Sequence, residues 1–489
     1  MSEASRSRLL GFDVAGEVFT RDGRVLRGIW KDHAEVYRRI LEVYRRQSLL
    51  DQGIVGTREA PDDPGRFSLL LEHDAVPFIS YPHEWAAPAL KDAGLFHVDL
   101  FLRLAEYGLT LKDWHLGNIL FRSVTPVFVD FTSLIFHEDL AQQSYLLVPT
   151  RPVLGGRWDA QARAIFEMYR RMFFPDAHLP LHLMEQGRHA LARKRMRESA
   201  LNAGGGQIAR SEVFRQPSPG WVLHVFRDLA LRSALNDTDP IKRRFFESLR
   251  GQMVRVQPDQ RSSDYVDYYA AKNERFDLEP NAAWRDKQRS VHLVLERERP
   301  GTVLDIGSNT GWFSLLAARA GAEVVAVDRD EASVGALYHE AQRNGVKVLP
   351  LVMDLLDPTP DIAADMQDDE RTSEPAVPLL MAAERRLASD MVLALGLLHH
   401  LCLGEGLTFD QVLSKLTPFV RKHLVVEFVD RNDELIRSER AFFPAYRRNP
   451  NSFGWYTQDG FVAAVGRCFR NVEVLPSHPG ARKIIVCEL

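Results

Sequence analysis

The clearest pattern in the sequence is a pair of short apolar runs separated by a helical segment. Val303 to Ile306 is apolar and rich in β-branched residues, as a buried parallel strand requires. Trp312 to Ala320 has a helical composition, Gly321 ends it, and Val324 to Val327 forms a second buried run. The pattern predicts a strand–helix–strand unit whose first loop lies at the carboxyl end of a strand, where open α/β sheets bind ligands.

The alternation of apolar runs and helical segments continues to the end of the chain. Five more predicted strands follow, at 346–353, 390–398, 424–427, 472–475 and 483–487, and the last two form a terminal pair. The predicted fold class is α/β, with a seven-stranded Rossmann-like sheet in a domain over residues 264–489.

The first half of the chain has a different pattern. Two β-rich runs within 11–30 predict a hairpin, and the following segment predicts a basic helix. Residues 81–85 are a break before a long helix. We therefore expect an α+β domain over 1–150 and a helical connecting region over 151–263, with the boundary in the polar segment 256–263.

Composition places the chain among ordinary globular proteins. It has 489 residues, a net charge of −4 and three cysteines. The small net charge predicts no general affinity for polyanions, so a nucleic-acid partner is not expected. The cysteines are not spaced as metal ligands, and neither a signal-peptide core nor a membrane span is evident, which favours a reducing, cytoplasmic setting. The oligomeric state is not determined by these features.

A glycine turn occupies the loop of the strand–helix–strand unit. A dinucleotide-binding fingerprint would need G-x-G-x-x-G, which this turn does not supply. The spacing resembles the S-adenosylmethionine (SAM) site of class I methyltransferases. That resemblance implies that the acid ending the second strand accepts the ribose hydroxyls, since a carboxylate beside a diol forms two charge-assisted hydrogen bonds. The candidate cofactor-binding residues are Asp305, Gly307, Ser308, Asn309, Gly311, Asp328, Asp354 and Leu395.

Two histidines, His399 and His400, follow the fourth predicted strand. In the small-molecule methyltransferases that the sequence resembles, this position faces the transferring methyl group. A histidine there suits a general base for a hydroxyl acceptor, because its ordinary pKa is near neutrality. The alternative is that one or both rings only pack. Further candidates for this pocket are Tyr265, Tyr268, Tyr269, Trp284, Lys287 and Gln288, with Arg447 and Arg448 for an anionic acceptor that needs no base.

A second motif lies between Leu111 and Ser133. Asp113 and Asn118 precede a strand–turn–strand segment that ends at Asp130. This segment resembles the catalytic segment of kinase-like phosphotransferases such as the aminoglycoside phosphotransferases. The resemblance implies that Asp113 orients an acceptor hydroxyl, and that Asn118 and Asp130 hold the metal of Mg·ATP.

The kinase-like motif departs from its family pattern at three points. A glycine-rich phosphate loop is not evident, Arg27 stands where the strand lysine is expected, and Thr132 replaces a glycine. Arginine does not replace lysine as a compact phosphate partner. Three interpretations stay open: a degenerate domain that binds or scaffolds, an active phosphotransferase, and an α+β domain whose motif residues are turn residues.

The motifs together resemble the rhizobial nodulation methyltransferase group (NoeA-like proteins). This resemblance implies a SAM-dependent methyltransferase that methylates an oxygen, or secondarily a nitrogen, of a small-molecule, natural-product or carbohydrate acceptor. The kinase-like region would then help to bind or position the substrate. One alternative is a bifunctional kinase-methyltransferase that methylates the phosphate it adds, like the enzymes that end lipopolysaccharide chains, but with the domain order reversed. A second alternative is a non-catalytic SAM-binding scaffold.

Overall fold

A computed structural model describes residues 7–8, 14–61, 65–142, 158–201, 219–258, 278–363, 378–438 and 443–489. The predictions for Tyr265, Tyr268 and Tyr269 lie outside the described residues, as does the 259–263 portion of the predicted domain boundary.

An antiparallel sheet of five strands opens the N-terminal part, in the order β1-β2-β3-β5-β4. A two-residue turn joins β2 to β3, and its residues Asp22 and Gly23 have positive φ angles of 53° and 75°. Turns of this kind match the twist of paired strands, and they account for the predicted hairpin. The elements are β1 (Ser7–Arg8), β2 (Gly16–Arg21), β3 (Arg24–Ile29), α1 (Lys31–Arg46), β4 (Thr57–Glu59) and β5 (Leu69–His73).

Helices dominate the chain from the end of this sheet to the second sheet. Two small hairpins interrupt them, in which β6 pairs with β9 and β7 with β8. A π-helix, Tyr169–His178, joins α3 to α4. The elements are α2 (Ala87–Ala105), β6 (Leu109–Leu111), β7 (Ile119–Arg122), β8 (Thr125–Phe128), β9 (Leu134–Phe136), α3 (Ala160–Met168), α4 (Leu179–Glu185), α5 (His189–Leu201), α6 (Pro219–Ala234), α7 (Arg243–Arg255) and α8 (Asp286–Glu298).

The second sheet has seven strands in the order β12-β11-β10-β15-β16-β18-β17. Five strands are parallel, and β18 runs antiparallel to both of its neighbours. All seven predicted strands are present, although β15 ends earlier than predicted. These strands are β10 (Thr302–Ile306), β11 (Glu323–Asp328), β12 (Val348–Val352), β15 (Ser389–Ala394), β16 (Val420–Val429), β17 (Asn471–Pro476) and β18 (Arg482–Glu488).

Helices cover both faces of this sheet, as parallel strands require. They are α9 (Trp312–Arg319), α10 (Glu331–Asn344), α11 (Ala383–Arg386), α12 (Phe409–Leu416), α13 (Glu434–Ser438), α14 (Pro444–Arg448) and α15 (Gln458–Val465), with a separate strand pair β13 (Ile362–Ala363) and β14 (Pro378–Leu380). The strand order reverses between β10 and β15, so a crevice is expected at the carboxyl ends of those two strands. Within the described ranges, no helix combines the length and the hydropathy that crossing a bilayer needs.

The break at 81–85 packs directly against the C-terminal part. Arg386 donates to both carboxylate oxygens of Glu84, and the two side chains are 0% and 2% exposed. Next to this pair, His83 Nε2 lies 3.0 Å from Thr359 Oγ1. One continuous apolar core contains side chains of both parts. The two parts are therefore joined by a buried interface, in which a charged pair lies among apolar side chains.

We predict that acid weakens this interface through His83. Burial lowers the pKa of His83 to about 4, against 6.5 for an ordinary histidine. The unfolded chain therefore binds a proton at this residue between those pH values while the folded chain does not, so stability falls as the pH falls from 6.5 to 4. The His83 contribution amounts to about 3 kcal/mol. In urea unfolding at pH 7 and pH 5, His83→Gln should lose less stability with acid than the unsubstituted protein.

The control for the His83 prediction is His339→Gln, at an exposed histidine of α10. This variant should keep the full pH dependence of unfolding. An unchanged pH dependence in His83→Gln would contradict the prediction.

Candidate cofactor and acceptor site

The glycine turn after β10 needs glycine for two separate reasons. Gly307, Asn309 and Gly311 have φ angles of 73°, 53° and 80°, a region that side chains disfavour. A Cβ atom on Gly311 would also overlap the side chain of Leu337. The turn is thus held tightly against α10, with the main chain of 307–311 lying at the carboxyl end of β10.

Asp328, at the end of β11, closes the glycine turn. Its carboxylate accepts hydrogen bonds from Asn309 N at 2.8 Å and from Asp330 N at 2.9 Å. Burial raises the pKa of Asp328, and the two main-chain N–H groups counteract that rise. Since β10 and β11 pair in parallel register, the turn and this acid meet at the same edge of the sheet. The structure therefore brings together the two features on which the predicted SAM site depends.

Ser308 supplies an independent sign that the turn is made to hold a ligand. Its hydroxyl is buried, and no described residue forms a hydrogen bond with it. Buried hydroxyls normally have a partner, because an unpaired one costs roughly 1–3 kcal/mol. The orphan hydroxyl of Ser308 and the carboxylate of Asp328 fit a polar cofactor with ribose and amino-acid parts.

Asp305 was predicted to bind the cofactor, but its observed hydrogen bond is to another part of the protein. It is buried, and Ser314 Oγ of α9 donates to its carboxylate at 2.6 Å. Burial raises the pKa of Asp305 to about 6, although Ser314 and Lys287 act in the opposite direction. Its observed contact ties β10 to the helix after the turn, and its binding of cofactor stays a prediction.

The two other candidate cofactor residues lie at the ends of β12 and β15. Asp354 Oδ1 accepts a hydrogen bond from Leu356 N at 2.9 Å, which is an Asx turn. This contact is that of a turn aspartate, and cofactor binding by Asp354 stays a prediction. Leu395 is buried in the apolar core of the sheet, so its side chain contributes packing there.

The two histidines lie in a short helical segment after β15, and their rings contact each other. Their ring centroids are 4.3 Å apart, and Phe443 packs against both at 5.7 and 5.3 Å. His399 is buried, and neither of its ring nitrogens has a hydrogen-bond partner among the described residues. Burial lowers the pKa of His399 well below 6.5, and that of His400 to about 4. Both rings are therefore neutral at pH 7, and His399 has a nitrogen available to accept a proton.

A buried ion pair lies beside this crevice, and only one of its two residues was a candidate for the site from the sequence. Lys287 Nζ lies 2.7 Å from the Glu427 carboxylate, which is fully buried and also accepts from Ser477 Oγ at 2.7 Å. A Cβ atom on Gly396, just after β15, would lie 3.7 Å from Glu427 Oε2. Lys287 was a candidate for the pocket, whereas Glu427 was seen only as a strand end. The sequence signal that could have identified Glu427 as a candidate is its charge within the apolar run 424–429.

The remaining candidates near this pocket are not brought together by the structure. Trp284 packs edge-on against Trp312 at 5.6 Å in the apolar core. Gln288 is buried and caps its own helix through Arg285 N at 3.2 Å. Arg447 and Arg448 are exposed on α14.

In the kinase-like motif, Arg27 stands where the strand lysine is expected, and it pairs with Asp130, which was predicted to hold the metal ion. Arg27 of β3 is buried and lies 3.1 Å from Asp130, and Thr132 Oγ1 donates to the same carboxylate at 2.8 Å. Arg27 Nε also lies 3.3 Å from the ring of His73. The guanidinium thus stands beside the carboxylate that was predicted to hold Mg²⁺.

The other two motif residues lie near Asp130 in the chain but have different surroundings. Asp113 N donates a hydrogen bond to Ser133 Oγ at 3.1 Å. The buried Asn118 Nδ2 has no hydrogen-bond partner among the described residues. No group of three or more His, Cys, Asp or Glu side chains in the described ranges is arranged to hold a metal ion. Roles for Asp113 and Asn118 in phosphoryl transfer stay predictions.

Comparison with known proteins gives one relative that spans the chain. No protein-family model matches the sequence. The nodulation protein NoeA of Rhizobium meliloti (strain 1021) is 23% identical over 493 residues, which cover 97% of this chain and 94% of NoeA. The predicted likeness to the nodulation group is thereby confirmed.

Solved structures match only part of the chain, and at low similarity. Monomeric WbdD matches at 17% identity and a TM-score of 0.28, over 42% of this chain and 42% of WbdD. The magnesium protoporphyrin IX methyltransferase of Synechocystis PCC 6803, solved with bound SAH, matches at 18% identity and a TM-score of 0.29, over 46% of this chain and 97% of that enzyme. The chain thus spans less than half of WbdD. The protein is similar to NoeA along almost its whole length, and its C-terminal sheet has the strand pattern predicted for a class I methyltransferase.

Proposed function

We propose that the protein is a SAM-dependent methyltransferase that methylates a hydroxyl oxygen of a small-molecule or carbohydrate acceptor. The observation that carries the proposal is the closure of the glycine turn by Asp328 around the unpartnered Ser308 hydroxyl. The glycine turn lies beside the topological switch point between β10 and β15, and folds of this kind bind ligands at such a point. The likeness to NoeA agrees with the proposal, because the resemblance to NoeA's group is what implied methyl transfer from the sequence.

The residues of the site have separate tasks in this proposal. SAM carries its methyl group on a sulfonium, so the cofactor supplies an already activated methyl. Asp328 accepts hydrogen bonds from the ribose hydroxyls, and Ser308 donates to a polar group of the cofactor. His399 accepts the acceptor's hydroxyl proton at a ring nitrogen, while Phe443 shields both histidine rings from water. Alignment of the acceptor oxygen with the methyl group then accounts for much of the rate.

Calorimetric titration of the intact protein with SAM, and separately with Mg·ATP, tests this function. We expect SAM to bind with one site per chain. Absence of SAM binding would overturn the proposal. Saturable SAM binding without turnover, across a panel of phenols, alcohols and glycosides, would favour the non-catalytic scaffold.

The bifunctional kinase-methyltransferase has less support. The Arg27–Asp130 pair places a guanidinium where that function needs a metal ion. This observation favours the degenerate interpretation of the N-terminal part. Tight binding of Mg·ATP that is lost in Asp130→Asn would reverse this preference.

We predict that the two histidines are unequal in methyl transfer. His399→Asn should lower kcat by about 100-fold or more, the usual contribution of a general base, with little change in SAM affinity. His400→Asn should lower kcat by less than about threefold, because general-base catalysis needs only one proton acceptor. The measurement is the initial rate of methyl transfer from labelled SAM to a hydroxylated acceptor from the panel.

The pH profile of that rate adds a second readout for His399. Because burial lowers its pKa well below 6.5, His399 stays neutral as the pH falls through 6.5, and the rate should hold there. Equal losses in the two variants, or a fall in rate centred at pH 6.5, would contradict the assignment of His399.

A further inference from the structure

The cofactor turn is anchored from outside its own domain. Helix α10 begins at Glu331, directly after the Asp328–Asp330 segment that closes the glycine turn. The Glu331 carboxylate accepts a hydrogen bond from Ala87 N at 2.8 Å, at the start of α2 in the N-terminal part. It also pairs with Arg193 of α5, and the two side chains are 21% and 17% exposed.

Arg193 is in turn held by the break that precedes α2. It donates to the main-chain oxygens of His83 at 2.6 Å and Trp85 at 3.0 Å. Arg193 lies in an arginine-rich helix, α5, and its side chain is a partly buried bridge between the two parts. Although burial alone would raise the pKa of Glu331, Arg193 is foremost among the groups that lower it to about 2. The pair is therefore ionised throughout the physiological range.

Glu331 lies only three residues after Asp328, the proposed ribose-binding acid. Asp330, the residue before Glu331, donates its main-chain N–H to Asp328 Oδ1 at 2.9 Å, and its carboxylate caps α10 through Ser333 N at 2.9 Å. A shift of Glu331 therefore moves the donor that orients Asp328. Helix α10 also packs against the start of α2 here, since a Cβ atom on Gly335 would lie in van der Waals contact with Pro88, 3.7 Å away.

We propose that the N-terminal part sets the affinity of the SAM site through Arg193 and Glu331, which act as positioning residues for Asp328. The proposal rests on the proposed function. It gives the kinase-like part a task that needs neither ATP nor a metal ion: its helices α2 and α5 hold the start of α10, and with it the ribose-binding acid. SAM binding should in return order this bridge, since coupling between two sites is reciprocal.

The test compares SAM affinity in variants of the two bridge residues, Glu331 and Arg193. Glu331→Gln keeps an acceptor for Ala87 N but loses the charge, and Arg193→Met removes the guanidinium. Each should raise the Kd for SAM by about tenfold, within the range usual for coupling between two sites. The double variant should be no worse than either single one, because both remove the same pair.

Asp92→Asn is the matched control for this test. Asp92 of α2 accepts from Tyr338 Oη and Gln342 Nε2, each at 2.9 Å, so it links the same two parts two to three turns further along α10. Its removal should leave the Kd for SAM unchanged. Hydrogen exchange of 307–311 and 328–331 in the free protein should accelerate in Glu331→Gln and not in Asp92→Asn.

Two results would overturn the proposal. One is an unchanged Kd in Glu331→Gln and Arg193→Met. The other is an equal rise in Asp92→Asn, which would show a general loss of interface stability. Failure of the unsubstituted protein to bind SAM would instead remove the proposed function, and the titration of that protein separates the two cases.

Discussion

Asp328→Ala is expected to raise the Kd for SAM by about 100-fold or more. The carboxylate would accept two hydrogen bonds from the ribose, and hydrogen bonds to a charged group contribute about 1.5–3 kcal/mol each. A loss of about 3 kcal/mol already corresponds to about 100-fold in Kd. The substitution also releases Asn309 N and Asp330 N, which Asp328 holds in the free protein. Titration calorimetry of the variant measures the effect.

Asp390→Ala controls for the loss of a strand-end aspartate. Asp390 accepts from Gly301 N at 3.1 Å and Thr302 N at 3.3 Å, at the opposite, amino edge of the same sheet. Its loss removes two comparable main-chain hydrogen bonds without touching the glycine turn. The control should lower the unfolding midpoint and leave the Kd for SAM unchanged. Equal affinities in Asp328→Ala and the unsubstituted protein would rule out Asp328 as the ribose acid.

Arg386→Ala is expected to destabilise the folded protein by about 3–5 kcal/mol, the cost of leaving a buried charge without its partner. Arg386 is 0% exposed, and the Glu84 carboxylate that it neutralises is 2% exposed. The guanidinium also donates to the main-chain oxygens of Met381 at 2.8 Å and Ile79 at 2.6 Å. Urea unfolding followed by tryptophan fluorescence measures the loss, since Trp85 is buried beside this pair.

The neighbouring Arg385 provides the control for Arg386. It pairs with Asp361 at 3.3 Å, but these side chains are 57% and 48% exposed. Exposed pairs contribute under about 1 kcal/mol because water screens them, so Arg385→Ala should be nearly neutral. Replacing both members of the buried pair, in Glu84→Gln/Arg386→Met, should recover part of the stability. Similar losses in Arg385→Ala and Arg386→Ala would contradict a special role for the buried pair.

The strands and the glycine turn were predictable because their signals are local. A run such as Val324 to Val327 is buried on both faces in any parallel sheet, and a turn of positive φ needs glycine wherever it occurs. The end of β15 was placed too late because the apolar run 390–398 continues through a turn into a short helix, and hydrophobicity alone does not separate these states. The histidines therefore follow a turn and not the strand itself.

The charged pairs of the two sites and of the interface between the two parts join residues that are far apart in the chain. Arg27 and Asp130, Lys287 and Glu427, and Arg193 and Glu331 all lie more than a hundred residues from their partners. A charged residue in an apolar run indicates that a partner must exist, since burying an unpaired charge is too costly, but the run does not name that partner. The sequence by itself determined the seven strands, the glycine turn and its acid. Only the tertiary structure decided which charges neutralise each other, because that depends on how the two parts of the chain pack together.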